Sequence, residues 1–234
     1  GIELGFKVPL PVKGLSVEGA LSWGEYIYTS TPRMTQTIDN SAELIIDNQP
    51  VTYWKSHPIY KRVILDGQEV FDQDLDGYIV EKNQKHYVPS TPQLAADLGL
   101  NYRTNSYWFF EIDAQYFANS YLDMNPLYRT DMAVSGPDGI ASPVEIEYMA
   151  AQEKFKPAFL LNASVGKSWY IDRKYNFGFS LNVQNILNNR NVKTGGYEQT
   201  RLIDSAGHTR YYRFDPKYFY MQGINYMLNL YFRF

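Results

Sequence analysis

Asp72-Gln-Asp74-Leu-Asp76-Gly77 sets carboxylates at alternate positions before a glycine, with Ile79 at the apolar position that follows. That is the first half of a calcium loop, in which alternate oxygens ligate the ion and the glycine permits a sharp turn. The twelfth position is Asn83, where a bidentate Glu is required, and no flanking helices are evident. A solvated acidic loop is therefore the favoured reading of Asp72, Asp74 and Asp76. Gly166-Lys167-Ser168 matches the end of a phosphate loop, but Leu161 stands where the first glycine belongs, and the segment closes a strand instead of opening a helix. His57, His86 and His208 have no serine or second histidine at the spacing of a triad or a zinc site. With no cysteine, disulfides, thiolate metal sites and cysteine nucleophiles are excluded. The chain is expected to be no enzyme and to carry no cofactor.

Side chains suited to binding remain. Glu111, Asp113 and Gln115 form a row at alternate positions, with Glu18 and Asp97 on neighbouring segments. They are candidates for ligand contact, although a hydrated polar lining is the plainer account. Tyr53, Trp54, Tyr60 and Tyr78 offer stacking surface of the kind sugars and aromatic chelates use. Packing of loop on loop is the simpler explanation for them.

Composition restricts what could position these groups. The 234 residues include 22 basic and 25 acidic side chains, a net charge of −3, without the basic surplus that nucleic acid requires. Mean hydropathy is −0.40, and uninterrupted apolar runs stop at four residues, as in Tyr107–Phe110. A membrane-spanning helix needs about 20. Yet the chain has 21 Tyr, 13 Phe and 4 Trp. So much aromatic surface must be placed somewhere.

Two-residue alternation places it. From Gly223 to Phe234 one parity reads Ile224, Tyr226, Leu228, Leu230, Phe232, Phe234, and the other is mostly polar. Six more segments repeat the pattern: Ile2–Val8, Leu15–Trp23, Leu94–Tyr102, Trp108–Phe117, Phe159–Gly166 and Phe177–Gln184. No amphipathic helix is read. The connections Pro9–Gly14, Arg103–Tyr107 and Tyr170–Asn176 are short, and Thr31–Pro92, Leu122–Pro157 and Leu187–Lys217 are long, in strict alternation. Aromatic residues gather at both strand ends, and the polar parity is rich in Asn, Gln, Ser and Gly. The reading is an all-β, antiparallel up-and-down transmembrane β-barrel with long extracellular loops, in preference to a soluble sandwich. Seven strands close no even-numbered barrel, so residues 1–234 are expected to be the C-terminal part of a larger one.

Two stretches carry a resemblance. Asn176-Phe-Gly-Phe-Ser-Leu-Asn-Val-Gln-Asn-Ile-Leu-Asn188, followed by a polar stretch and the final strand Met221–Phe234, resembles the C-terminal barrel region of TonB-dependent outer-membrane receptors. Gly1-Ile-Glu-Leu-Gly5, the Pro92–Tyr102 strand and Tyr121-Leu-Asp123 are similar as well. The resemblance implies a barrel of about 22 strands with a plug domain and a TonB box outside these residues. It also implies an outer-membrane location in a Gram-negative bacterium, and active import of a siderophore, cobalamin or glycan. The implied partners are the TonB complex, the barrel-assembly machinery, the lipid bilayer, the ligand and a surface lipoprotein lid. Leu228, Leu230, Phe232 and Phe234 would carry the assembly signal. A passive porin, an adhesin barrel and an outer-membrane hydrolase are the rival readings.

Overall fold

The computed structural model describes residues 1–29, 85–89, 91–129, 133, 143–172, 174–199 and 213–234; within 33–79 and 135–140 it describes the backbone pairing of short strands. Each alternating segment forms a strand: β1 Ile2–Pro9, β2 Leu15–Trp23, β3 Leu94–Arg103, β4 Trp108–Ala118, β5 Ala158–Ile171, β6 Tyr175–Gln184 and β7 Asn225–Arg233. They build one antiparallel sheet whose spatial order is the chain order, β1 through β7. Aliphatic and aromatic side chains at every second position favour this pleated arrangement, because each strand then packs its large groups against its neighbours'.

The registers confirm that one parity makes one face. Val17 stands opposite Leu100, Leu100 opposite Ile112, Ile112 opposite Ala163, Ala163 opposite Val183, and Val183 opposite Tyr226. One residue along, Ser16, Asn101, Glu111, Ser164 and Asn182 form the matching polar row. A slip of one residue in any strand would turn its apolar set onto the polar side.

Two details differ from the sequence reading. β5 runs on to Ile171, which pairs with Tyr175, so the β5–β6 connection is three residues long. Asp172 takes φ +52° to make that turn, a conformation its short side chain tolerates. The long connections also hold regular structure: a 3₁₀ turn at Pro126–Arg129, the helix α1 at Pro143–Ala150, and a ribbon pairing Lys193–Tyr197 with Lys217–Tyr220. None showed a convincing helical or strand period, because each is too short for one to build up.

Gly14 explains the first short turn. It takes φ +83° in close contact with β3, where a Cβ would collide with the Arg103 carbonyl. The Arg103 N–H donates to the Gly14 carbonyl at 2.7 Å, which ties the β1–β2 turn to β3.

At the other end, the Asn-Ile-Leu-Asn motif connects β6 to β7. Asn185 and Asn188 take φ +50° and +52°. The buried Asn185 amide donates to the carbonyls of Asn189 (3.0 Å) and Gln222 (2.9 Å), and its Oδ1 accepts from the Asn189 N–H at 2.9 Å. Asn188 Oδ1 accepts from the Ile224 N–H at 3.0 Å, just before β7 starts. Asn185→Ala strands these backbone groups and places a Cβ residue without side-chain compensation at positive φ. It is expected to cost about 2–4 kcal/mol, with Asn185→Gly recovering only about 1 kcal/mol of that. Urea unfolding midpoints of the two variants check this, and equal midpoints for Asn185→Ala and the parent would refute it.

The faces differ in burial. No second layer of described residues covers the apolar face, where Leu4, Phe6, Leu98 and Phe232 are exposed and Leu230 is 76% exposed. Burial concentrates where the long connections fold over one end of the sheet. There Leu122, Tyr128, Met149, Phe155 and Leu160 form a small core.

Candidate functional site

The polar face assembles the sequence candidates from three adjacent strands. Glu18 of β2 accepts from Lys7 Nζ at 2.8 Å and from Asn101 Nδ2 at 2.7 Å. Asp113 of β4 accepts from Asn162 Nδ2 at 2.7 Å, and Glu111 lies 3.9 Å from Arg103. Asp97 and Gln115 are cross-strand partners. Next to them a depression of about 420 Å³ is lined by Glu3, Ser22, Asp97, Gln115 and Phe117. It exists because Gly5, Ala20 and Ala95 place almost no side chain on this part of the face.

The chemistry of this face is hydrogen bonding. Carboxylates and amides accept from ammonium, amide or hydroxyl donors, as in Ser164 Oγ to Asn182 Oδ1 at 2.8 Å. Among the described residues no group of three His, Cys, Asp or Glu could hold a metal ion. Such a surface suits a polar, hydroxyl-rich solute or a protein segment lying across it.

Over one end of the sheet sits the cap, whose main feature sequence reasoning missed. Arg129 and Glu198 are 1% and 0% exposed and form an ion pair, which Arg213 joins from the other side. The Arg129 fork also donates to the carbonyls of Ala150 (3.1 Å), Asn125 (3.1 Å) and Ala151 (2.8 Å), so all five of its N–H groups are engaged. Glu198 Oε2 accepts the Asn125 N–H at 2.9 Å, and Arg213 donates to the Tyr148 and Ala151 carbonyls. The carboxylate thus joins the β4–β5 connection to the β6–β7 connection, which no local sequence signal relates.

Around this triad the cap is stitched by amides and aromatic rings. Gln93 donates to the Tyr26 carbonyl at 2.9 Å and accepts its N–H; Gln152 exchanges the same pair of bonds with Tyr87. Tyr87 stacks on Tyr121 at 4.0 Å. Burial, reinforced by Tyr87, pushes the Tyr121 phenol up to about 12. Tyr218 donates to Glu153 Oε2 at 2.6 Å, and its phenol is raised first by burial and then by that carboxylate. Desolvation acts against the charge on Lys193, but the 2.7 Å bond and the charge of Glu153, together with Tyr218, outweigh it and hold the ammonium above the ordinary lysine range.

The other candidates are less informative. Tyr53, Tyr60, Asp74, Asp76 and His208 lie outside the described residues. Trp54 and His57 belong to a strand paired with Arg33–Thr37, and Asp72 pairs with Tyr78, with only their backbones described. His86 is buried opposite Tyr28. Gly166-Lys167-Ser168 lies within β5, not before a helix. Leu228, Leu230 and Phe232 stand opposite Leu181, Phe179 and Phe177, and Phe234 beyond them is 94% exposed. Compared with known proteins, the sequence matches no family model and no curated protein.

Proposed function

We propose that this chain is part of the wall of an outer-membrane β-barrel, and that the whole protein is a TonB-dependent receptor importing a scarce solute. The observation that carries the first step is the apolar face of a seven-stranded meander, which no other described residues cover. In water that face would be a large exposed patch; against acyl chains it needs no further cover. Strands of 8 to 14 residues suit a tilted crossing, for which about 9–11 suffice.

The aromatic belts support the same reading. Toward the short turns, Tyr102 stacks with Phe110, Trp169 with Phe177, and Tyr175 with Phe232. Toward the long connections, Trp23, Tyr116, Phe159 and Tyr226 are exposed on the apolar face. Amphipathic rings at two levels fit the two membrane–water boundaries. The outer edges of β1 and β7 lack partner strands in this sheet, and lipid offers no hydrogen bonds to unpaired backbone. Further strands would therefore complete the wall, with the polar face lining its interior and the cap on the outside.

The receptor assignment rests on the similarity of Asn176–Asn188 and the terminal aromatic strand to that family. Glu18, Asp97, Glu111, Asp113 and Gln115 would then meet the plug or the solute, and Leu228 to Phe234 the assembly machinery. Uptake of a ferric siderophore, cobalamin or an oligosaccharide by cells carrying the full-length protein, with and without TonB, tests this. Uptake of one of them only with TonB is expected. Equal uptake without TonB would make the barrel a passive pore, and hydrolysis of the solute would make it an enzyme.

A further inference from the structure

Lys167 is a cation on a face that is otherwise apolar. It stands on β5 opposite Trp108 of β4 and Phe179 of β6. Its Nζ lies 4.8 Å from the Trp108 ring centre and 5.1 Å from that of Trp169. The walls of this box are held in turn: Trp169 stacks on Phe177 at 5.0 Å, and Trp108 meets Phe179 edge-on at 6.0 Å. Among the described residues no carboxylate pairs with Lys167. At the adjoining turn Lys174 holds a second ammonium 5.3 Å from the Tyr175 ring.

We propose that Lys167, walled by Trp108 and Trp169, binds the phosphate of a membrane phospholipid whose acyl chains lie along Val165, Leu181 and Phe179. This rests on the membrane-wall reading above. Charge complementarity selects the ligand, since the box presents a half-buried cation with no carboxylate from the described residues beside it. Depth agrees with it. From Phe159 to Lys167 is eight residues, roughly 26 Å along the strand. At a tilt of about 40° that becomes about 20 Å across the bilayer, close to the ~25 Å apolar band, so the ammonium sits at its border. Lipid phosphates lie just outside that band, in the headgroup region. The indoles supply flat, stiff walls that shield the ion pair from water while tolerating the acyl chains.

The test uses full-length protein extracted in detergent, stripped of lipid and titrated with phosphatidylglycerol, with diacylglycerol of the same chains, and with inorganic phosphate, followed by native mass spectrometry. Phosphatidylglycerol is expected to bind well ahead of diacylglycerol, and millimolar phosphate to leave it in place. Lys167→Met should weaken phosphatidylglycerol about fivefold, the effect of one basic side chain at a membrane surface, while Lys167→Arg retains it. Unchanged affinity in a Lys167→Met protein that still integrates into membranes would overturn the site and leave the membrane wall standing. Displacement by inorganic phosphate would overturn the lipid assignment. If the parent protein fractionates away from membranes, the wall and the site both fall.

Discussion

Ile112→Arg is expected to sharply reduce the membrane-integrated fraction of the full-length protein, whereas Gln115→Arg, three residues along the same strand, leaves it intact. Ile112 is at mid-height on the apolar face, opposite Leu100 and Ala163, and Gln115 points to the polar side opposite Asp97. A guanidinium facing lipid at the midplane costs about 2–4 kcal/mol, and on a wet interior next to nothing. Integration is read from the heat-modifiable band in isolated outer membranes and from the urea midpoint in vesicles. If the apolar face met water, arginine would be tolerated at both positions. Equal behaviour of the two variants therefore refutes the membrane wall irrespective of any transported solute.

Glu198→Ala should melt the cap and spare the sheet. The carboxylate is the counter-ion of Arg129 and Arg213 and is fully buried. Removing one member of a buried ion cluster leaves uncompensated charge and costs about 3–5 kcal/mol. The loss exceeds that of an exposed pair such as Lys85–Glu25, where water takes over from the partner. Hydrogen exchange resolves the effect. Protection of the Leu122 N–H, bonded to the Glu153 carbonyl, and of the Phe155 N–H, bonded to the Ser120 carbonyl, should fall, while that of β3 and β4 stays. Glu198→Gln, which keeps the shape and an acceptor oxygen, should fall between the two. Full protection in Glu198→Ala would show that Arg129 is held adequately by backbone carbonyls alone.

These two sites differ in how far the sequence announced them. Ile112 was legible because side-chain direction in a strand is a local property: seven segments with a period of two fixed seven strands, their order and their faces. The same reading erred at Tyr170–Asn176, where Trp169 and Ile171 continue the outward parity of β5 and pairing with β6 extends almost to the turn. Glu198, Arg129 and Arg213 gave no such signal, because Arg129 and Glu198 meet across 69 positions and nothing periodic connects them. Asn185 lay between these cases. Its motif was recognisable, but its role in holding the backbone on either side of the β6–β7 connection depends on left-handed φ and on Gln222, 37 residues away. Lys167 was visible only as part of a failed phosphate-loop match, since its meaning comes from neighbours on two other strands.

Within the described sheet β1 and β7 each keep one edge unpaired, and on the membrane-wall proposal those edges would stay exposed until further strands cover them. A strand with free N–H and C=O groups on one side and Ile2, Leu4, Phe6 and Val8 along one face is a template on which another unfolded chain can add. On that proposal, an incompletely assembled chain would be its own most dangerous partner. The slower its assembly into a bilayer on that proposal, the more of it would be lost to intermolecular sheet, and at high expression that loss should rise faster than in proportion to concentration.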